Sequence, residues 1–253
     1  VINDLRGTYL GTVEENTIYK NPYNGKCVKT GIDHLCELGI THVHLMPIFD
    51  FGSVDERFPG SNNRNWGYDP KNFNVPEGSY CSNPYNPVTR ILELRQMIMK
   101  FHERGIRVVM DMVYNHMMST VNMDNIVPGY YFRSDYLGRY TNGSGCGNEL
   151  ASERPMVRKF IIDSCLHWIK DYKIDGIRFD LMELLDIDTT KEIVKKTTKL
   201  DKNFLIYGEP WKGGSSPLVN GTYKGSQKNE NFSIFNDTFR DAIRGNNHPS
   251  SGF

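Results

Sequence analysis

The run Ile174-Asp-Gly-Ile-Arg-Phe-Asp-Leu181 decides the fold. It is short and mostly apolar, as suits a strand buried on both faces. Side chains alternate along a strand, so Arg178 and Asp180 project to one side while Ile177 and Phe179 face the other. Charge therefore collects at the carboxyl end of an otherwise apolar strand. The same arrangement occurs twice more. Val108-Val-Met-Asp-Met-Val-Tyr-Asn-His116 places Asp111, Val113 and Asn115 on one face with His116 at its end, and Phe204-Leu-Ile-Tyr-Gly-Glu-Pro-Trp211 ends in Glu209 and Trp211.

Helical patterns separate these strands. Thr30 to Leu38 carries an apolar stripe of Ile32, Leu35, Cys36 and Leu38 and stops at Gly39. Residues 88–104, about 155–172, 188–200 and about 236–245 read as further helices, and Thr41 to Phe49 as one more strand. Residues 1–28 are rich in turns, and 50–87 and 117–154 are long loop excursions. A loop of that length within a compact domain is usually functional. Strand–helix alternation implies a parallel sheet covered by helices. Polar residues at the ends of several different strands favour a (β/α)8 barrel over an open sheet, which would gather them at one crevice with a Gly-rich phosphate loop. No such loop occurs in this sequence. The expectation is one α/β domain over residues 1–253.

With 30 basic and 30 acidic residues, no net field favours nucleic acid or an anionic membrane as partner. No run approaches the roughly 18 apolar residues of a membrane span. The five cysteines have no C-x-x-C pair, which argues against a zinc cage. Cys36 and Cys165 sit on apolar stripes as expected buried thiols, which favours a cytoplasmic over a secreted location.

The strand-end residues carry the chemistry. An Arg two residues before an Asp holds that carboxylate ionised and oriented, as a covalent glycosyl intermediate requires. A structural ion pair at the strand end is the alternative reading of Arg178 and Asp180 taken alone. Glu209 follows Gly208 and lies beside Trp211, neighbours that can raise a carboxyl toward a general acid's range. If Asp180 and Glu209 cap adjoining strands at one level, the strand spacing of about 4.7–4.9 Å suits the 5–5.5 Å carboxyl separation of a retaining glycosidase. Asn65-Trp-Gly-Tyr-Asp-Pro70 reads as a rigid turn that presents aromatic rings, or as an ordinary aromatic-anchored loop.

Together these residues resemble the α-amylase family of glycoside hydrolases, and within it the type I pullulanases. The match lies in Asp111, Asn115 and His116, in Gly176, Arg178 and Asp180, in Tyr207 to Trp211, and in Asn65 to Pro70. The stretches at 141–149, 151–155 and 235–243 are also similar. The resemblance implies a retaining hydrolase of α-1,6 branch linkages in pullulan or branched starch. It makes Asp180 the nucleophile and Glu209 the general acid/base. Arg178 would orient Asp180, His116 would bond a sugar hydroxyl, and Tyr68 would stack on that sugar. Asp111 would shape the site, and Trp211 and Trp66 would contact the glucan. No cofactor is required, and calcium is left open, since Asn- and Asp-rich loops bind it in some relatives.

The sequence departs from that pattern in three places. Arg64 stands where a Tyr usually precedes Asn65, and Glu183 where Gly commonly follows Asp-Leu-Met. The family's His-Asp dipeptide, which supplies a third acid, is absent: the one His after Glu209 is His248, and Pro249 follows it. By the family's layout the chain corresponds to barrel strands two to five. This predicts a fragment, truncated at both ends and inactive alone, with the remainder of the barrel as its partner. The competing readings are an isoamylase, a branching or neopullulanase-like enzyme, and a non-catalytic glucan-binding fragment.

Overall fold

The computed structural model describes residues 5–58 and 65–245. In chain order these form α1 (Tyr9–Thr12), β1 (Ile18–Lys20), β2 (Cys27–Lys29), α2 (Gly31–Glu37), β3 (His42–Leu45), β4 (Phe49–Phe51), β5 (Pro70–Pro76), α3 (Pro87–Glu103) and β6 (Arg107–Met112). There follow α4 (Val121–Asp124), α5 (Pro155–Tyr172), β7 (Gly176–Phe179), α6 (Ile187–Leu200), β8 (Leu205–Gly208), β9 (Ser233–Ile234) and α7 (Asp237–Arg244).

The centre is a parallel sheet in the order β3-β6-β7-β8-β9. Helices α3, α5 and α6 are the crossovers, and each starts where its sequence dictates. Pro87 opens α3 behind Asn86, whose side chain accepts from the Val88 amide at 3.1 Å. Pro155 opens α5, which ends at Lys173 in the left-handed region. Asp186 caps α6 by accepting from the Thr189 amide at 3.0 Å. Between helices and sheet lies a core of Leu94, Ile98, Phe101, Val108, Met110, Val157, Ile161, Trp168, Ile177 and Phe179.

The sheet is bent. Strands lie about 4.8 Å apart, so three spacings separate β3 from β8 by roughly 14 Å along a flat sheet. Yet the rings of His44 on β3 and Tyr207 on β8 approach to 5.7 Å between centroids. Their side chains meet across the concave face, the curvature expected of a barrel wall. Among the described residues β3 and β9 each keep one unpaired edge, so the arc is open.

The four expected strands and five expected helices are present, with several corrections. The strand expected over 41–49 ends at Leu45, and Phe49 instead begins β4, which pairs antiparallel with β5 inside the supposed irregular loop. Strand β5 buries every third residue and contains two prolines, so it lacks period-two alternation. Strands β1 and β2 form an exposed hairpin within the turn-rich start. Strand β9 adds a fifth member to the sheet. On α2 only Ile32 is fully buried, Leu38 is exposed, and Cys36 is half-buried rather than buried. Among the described residues no helix is long and apolar enough to cross a membrane.

Candidate active site

Parallel register sets the site. Asp111 on β6 lies opposite Arg178 on β7, which lies opposite Tyr207 on β8. Residues opposite one another share a face, so these three form one row on the concave side. Two residues further along each strand comes the next row. Phe179 pairs with Gly208, and so Asp180 and Glu209 follow at the same level on adjoining strand ends.

Arg178 is the hub. Its Nη1 donates to both oxygens of Asp111 at 2.8 and 3.0 Å and to Asp180 Oδ1 at 2.9 Å, and its Nη2 pairs with Glu209 Oε1. One guanidinium thus binds three carboxylates, and Asp180 and Glu209 are separated by no more than two hydrogen bonds and the width of that group. The side chain of Arg178 is only 7% exposed, and Asp111 is deeper still. Three nearby acids hold the guanidinium well above its ordinary pKa, outweighing the burial that opposes them.

Each carboxylate has its own surroundings. Both oxygens of Asp180 accept, Oδ1 from Arg178 and Oδ2 from Asn115 Nδ2 at 2.9 Å. The Asn115 amide also donates to the Asp180 carbonyl at 3.0 Å, which locks the strand end. Glu209 Oε2 accepts from the Leu181 amide at 3.1 Å. That amide becomes available because Leu181 takes a left-handed conformation, φ 40° and ψ 52°, where the chain turns off β7. Burial pushes the Glu209 carboxyl up, Arg178 pulls it down and the charge on Asp180 raises it again, so the net direction is upward.

Tyr68 donates to Asp111 Oδ2 at 2.9 Å. The turn that carries it is pinned by its own side chains. Asn65 accepts from the Gly67 amide at 2.7 Å and donates to Asp69 at 3.0 Å, while Asp69 accepts from the Ser53 amide at 2.7 Å. Gly67, at φ +84°, lies where a Cβ would come within 2.8 Å of Pro47. Tyr68, Asp111, Arg178, Glu209 and Trp211 line one open groove of about 520 Å³.

Two expected site residues, His116 and Trp66, sit differently from the expectation. His116 is buried rather than emerging at the strand end: Nδ1 bonds Asn115 Oδ1 at 2.6 Å, and the ring also bonds the Tyr68 backbone. Burial lowers its pKa, so it stays neutral. Trp66 points into solvent, 73% exposed, beside the groove rather than in its wall. Glu183 leans over the loop after β8 and pairs with Lys212 at 2.8 Å. Arg64 and His248 lie outside the described residues.

The groove also contains residues to which the sequence reading gave no site role: His44 and Met46, and Phe235, Asn236, Asp237 and Arg240 from the 235–243 stretch. Phe235 stacks on Trp211 at 6.3 Å and lies under the Arg178 guanidinium, while Arg240 covers the Trp211 ring. His44 carried one signal, a polar residue amid the apolar β3.

Among the described residues one trio of carboxylates, Asp50, Glu56 and Glu77, converges closely enough to hold a metal. Each is already engaged. Arg90 binds Glu56 with both terminal nitrogens, Glu77 accepts from the Phe51 and Ser79 amides, and Asp50 accepts from Asn72. Arg90 already balances the charge on Glu56 in this trio.

Residues 25–127 match the family model for the α-amylase catalytic domain. The pullulanase of Bacillus subtilis strain 168 is 44% identical over 246 residues, which is 95% of this chain and 33% of that protein. The chain belongs to the α-amylase family. It resembles the pullulanases within it. The chloroplastic pullulanase 1 of Arabidopsis thaliana is 35% identical over 85% of this chain and 27% of that protein. The Paenibacillus barengoltzii pullulanase, solved in complex with maltohexaose and α-cyclodextrin, superposes with a TM-score of 0.90 at 45% identity, covering 96% of this chain and 38% of that one. The chain therefore spans about a third of the length of these relatives. The curved parallel sheet is an arc of the family's barrel.

Proposed function

We propose that these residues form part of the catalytic centre of a retaining α-glucan hydrolase that cuts α-1,6 branch linkages. The observation that carries this reading is the pair Asp180 and Glu209, at one level on adjoining strand ends and bound to one guanidinium. Glu209, raised by burial, protonates the departing glycosidic oxygen, and Asp180 attacks the anomeric carbon to form a glycosyl ester. Glu209, now ionised, takes a proton from water, which opens the ester on the same face and retains configuration. Arg178 keeps Asp180 aimed. Tyr68 supplies a ring for the sugar, with Trp211 and Phe235 on the leaving-group side. His116 acts one layer back, fixing Asn115 and the Tyr68 backbone.

The α-1,6 preference rests on likeness to proteins named pullulanases. The test is digestion of pullulan and amylose by the enzyme that contains this chain, with anomeric configuration followed by NMR. Maltotriose released from pullulan as the α-anomer, and lost in both Asp180→Asn and Glu209→Gln, is the expected result. Release of the β-anomer, or cleavage of amylose alone, overturns the reading. No His-Asp dipeptide stands within these 253 residues, so the isolated chain is expected to bind glucan without turnover. Maltotriose release by the purified chain that Asp180→Asn abolishes would contradict that.

A further inference from the structure

We propose that His44 is a positioning residue for the sugar-binding face, acting through Asp111 on Tyr68 and Arg178, with Tyr207 fixing its tautomer. The proposal rests on the glycosidase reading above. It begins from three contacts. His44 Nε2 lies 3.4 Å from Asp111 Oδ2, the Tyr207 hydroxyl lies 3.0 Å from His44 Nδ1, and the rings of His44 and Tyr207 meet edge to face.

The proton positions follow from these neighbours. An ionised carboxylate only accepts, so the nitrogen facing Asp111 carries the proton. With the ring neutral, Nδ1 is the acceptor and the Tyr207 hydroxyl donates to it. Tyr207 thereby selects the tautomer that points a donor at Asp111. That choice reaches the groove because Asp111 Oδ2 also accepts from the Tyr68 phenol at 2.9 Å and from Arg178 at 3.0 Å. Three strands and the loop bearing Tyr68 are thus joined through one oxygen.

At 3.4 Å the His44–Asp111 contact is longer than a formed hydrogen bond. Such contacts tighten when a ligand expels water. His44 lines the same groove with its side chain about a third exposed, so a sugar resting on Tyr68 would cover it. Closing the contact would draw Asp111 toward β3 and fix the Tyr68 ring under the sugar.

Three single variants of the full chain, His44→Leu, His44→Gln and Tyr207→Phe, and one double variant test this. Maltotriose affinity is measured by titration, and the His44 tautomer and Tyr68 ring signals are read by NMR. His44→Leu should weaken binding about fivefold, the worth of one hydrogen bond. His44→Gln, which keeps an N–H donor, should restore most of the loss. Tyr207→Phe should move the wild-type Nε2–H tautomer toward a mixture. The combined His44→Leu/Tyr207→Phe variant should bind no worse than His44→Leu, because the two act in series. Equal affinity for His44→Leu and wild type, or a Gln variant as weak as the Leu variant, overturns the proposal. If His44→Leu does not fold, an unchanged tautomer in Tyr207→Phe overturns it instead. If the wild-type chain binds no maltotriose, the glucan reading fails, while the tautomer and the Tyr68 signals still decide the role of His44.

Discussion

Replacing Arg178 with Met should turn the centre of the site into a pH-dependent source of instability. Met keeps the unbranched stem and removes the guanidinium, leaving Asp111, Asp180 and Glu209 around an apolar group. Asp111 loses both bonds from Arg178 and keeps the Tyr68 hydroxyl and the long contact to His44. The side chains of Asp111, Asp180 and Glu209 are 2%, 14% and 17% exposed, so water replaces little of what is lost. Breaking a buried ion pair from one side costs about 3–5 kcal/mol. Whole domains are stable by about 5–15 kcal/mol, so the loss should be plain in urea unfolding.

The pH dependence gives this prediction its sign. Without Arg178, mutual repulsion and burial lift the folded-state pKa of the cluster above the unfolded carboxyl value of about 4. A raised carboxyl binds more protons folded than unfolded, so stability falls as pH rises through that window. The deficit of Arg178→Met should therefore be small near pH 4 and grow toward neutrality. Adding Asp111→Asn should recover part of it at pH 7.5 by removing the deepest charge. A deficit below about 1 kcal/mol at pH 7.5, or one of the same size at pH 4.5, would refute the view of Arg178 as the counter-charge for three acids.

Other outcomes follow from the same geometry. Glu209, with its pKa raised in the folded state, contributes stability at low pH that is lost as pH rises through that pKa, so the Tm of Glu209→Gln should gain on wild type between pH 5 and 8. Arg133 and Glu149 are both almost fully buried and paired at 3.1 Å, and Glu149 also accepts from Ser216 at 2.7 Å, tying together the loops after β6 and β8. Glu149→Ala should cost about 3–5 kcal/mol in urea unfolding, against under about 0.5 kcal/mol for Lys159→Ala on the exposed face of α5. Gly67→Ala, which places a Cβ against Pro47 at positive φ, should displace the Tyr68 turn and weaken maltotriose binding while leaving the melting of the core helices nearly unchanged. A thiol reagent at pH 8 should reach Cys27 and Cys146 in the folded chain and Cys165, pushed up to about 12 by burial, only after denaturation, as mass spectrometry would report.

What the sequence disclosed depended on how each residue signals its role. Asp180, Arg178, Glu209 and Asp111 were legible because alternation along a buried strand permits a charged residue only where something answers it. The long helices α3, α5 and α6 were legible from their apolar stripes and caps. The β4–β5 pair was not, because β5 buries every third residue and leaves no alternation to read. The buried position of His116 was hidden for a different reason. A strand-end histidine looks exposed in one dimension, and only the folding back of the 65–70 turn places the Tyr68 backbone over it. His44, Phe235 and Arg240 required the curvature itself, since elements distant in sequence meet there only when the sheet bends.

The charge count of the hub bears on how the proposed mechanism divides labour between the two acids. One guanidinium faces three carboxylates, so the cluster is short of positive charge by two if all three are ionised. The group most easily relieved by a proton is the one whose surroundings most disfavour its charge. Asp111 takes two bonds from Nη1, and Asp180 adds an Asn115 donor to its share of the same nitrogen. Glu209 has one guanidinium contact and one backbone amide, in a pocket walled by aromatic rings. A proton added to the cluster therefore belongs on Glu209, which is also the carboxyl that burial and the Asp180 charge drive upward. Under the proposed mechanism, ester formation neutralises Asp180 and removes that charge, so the pKa of Glu209 falls as its proton is needed by the leaving oxygen. Under that mechanism the acid is the carboxyl that burial and the Asp180 charge already drive upward.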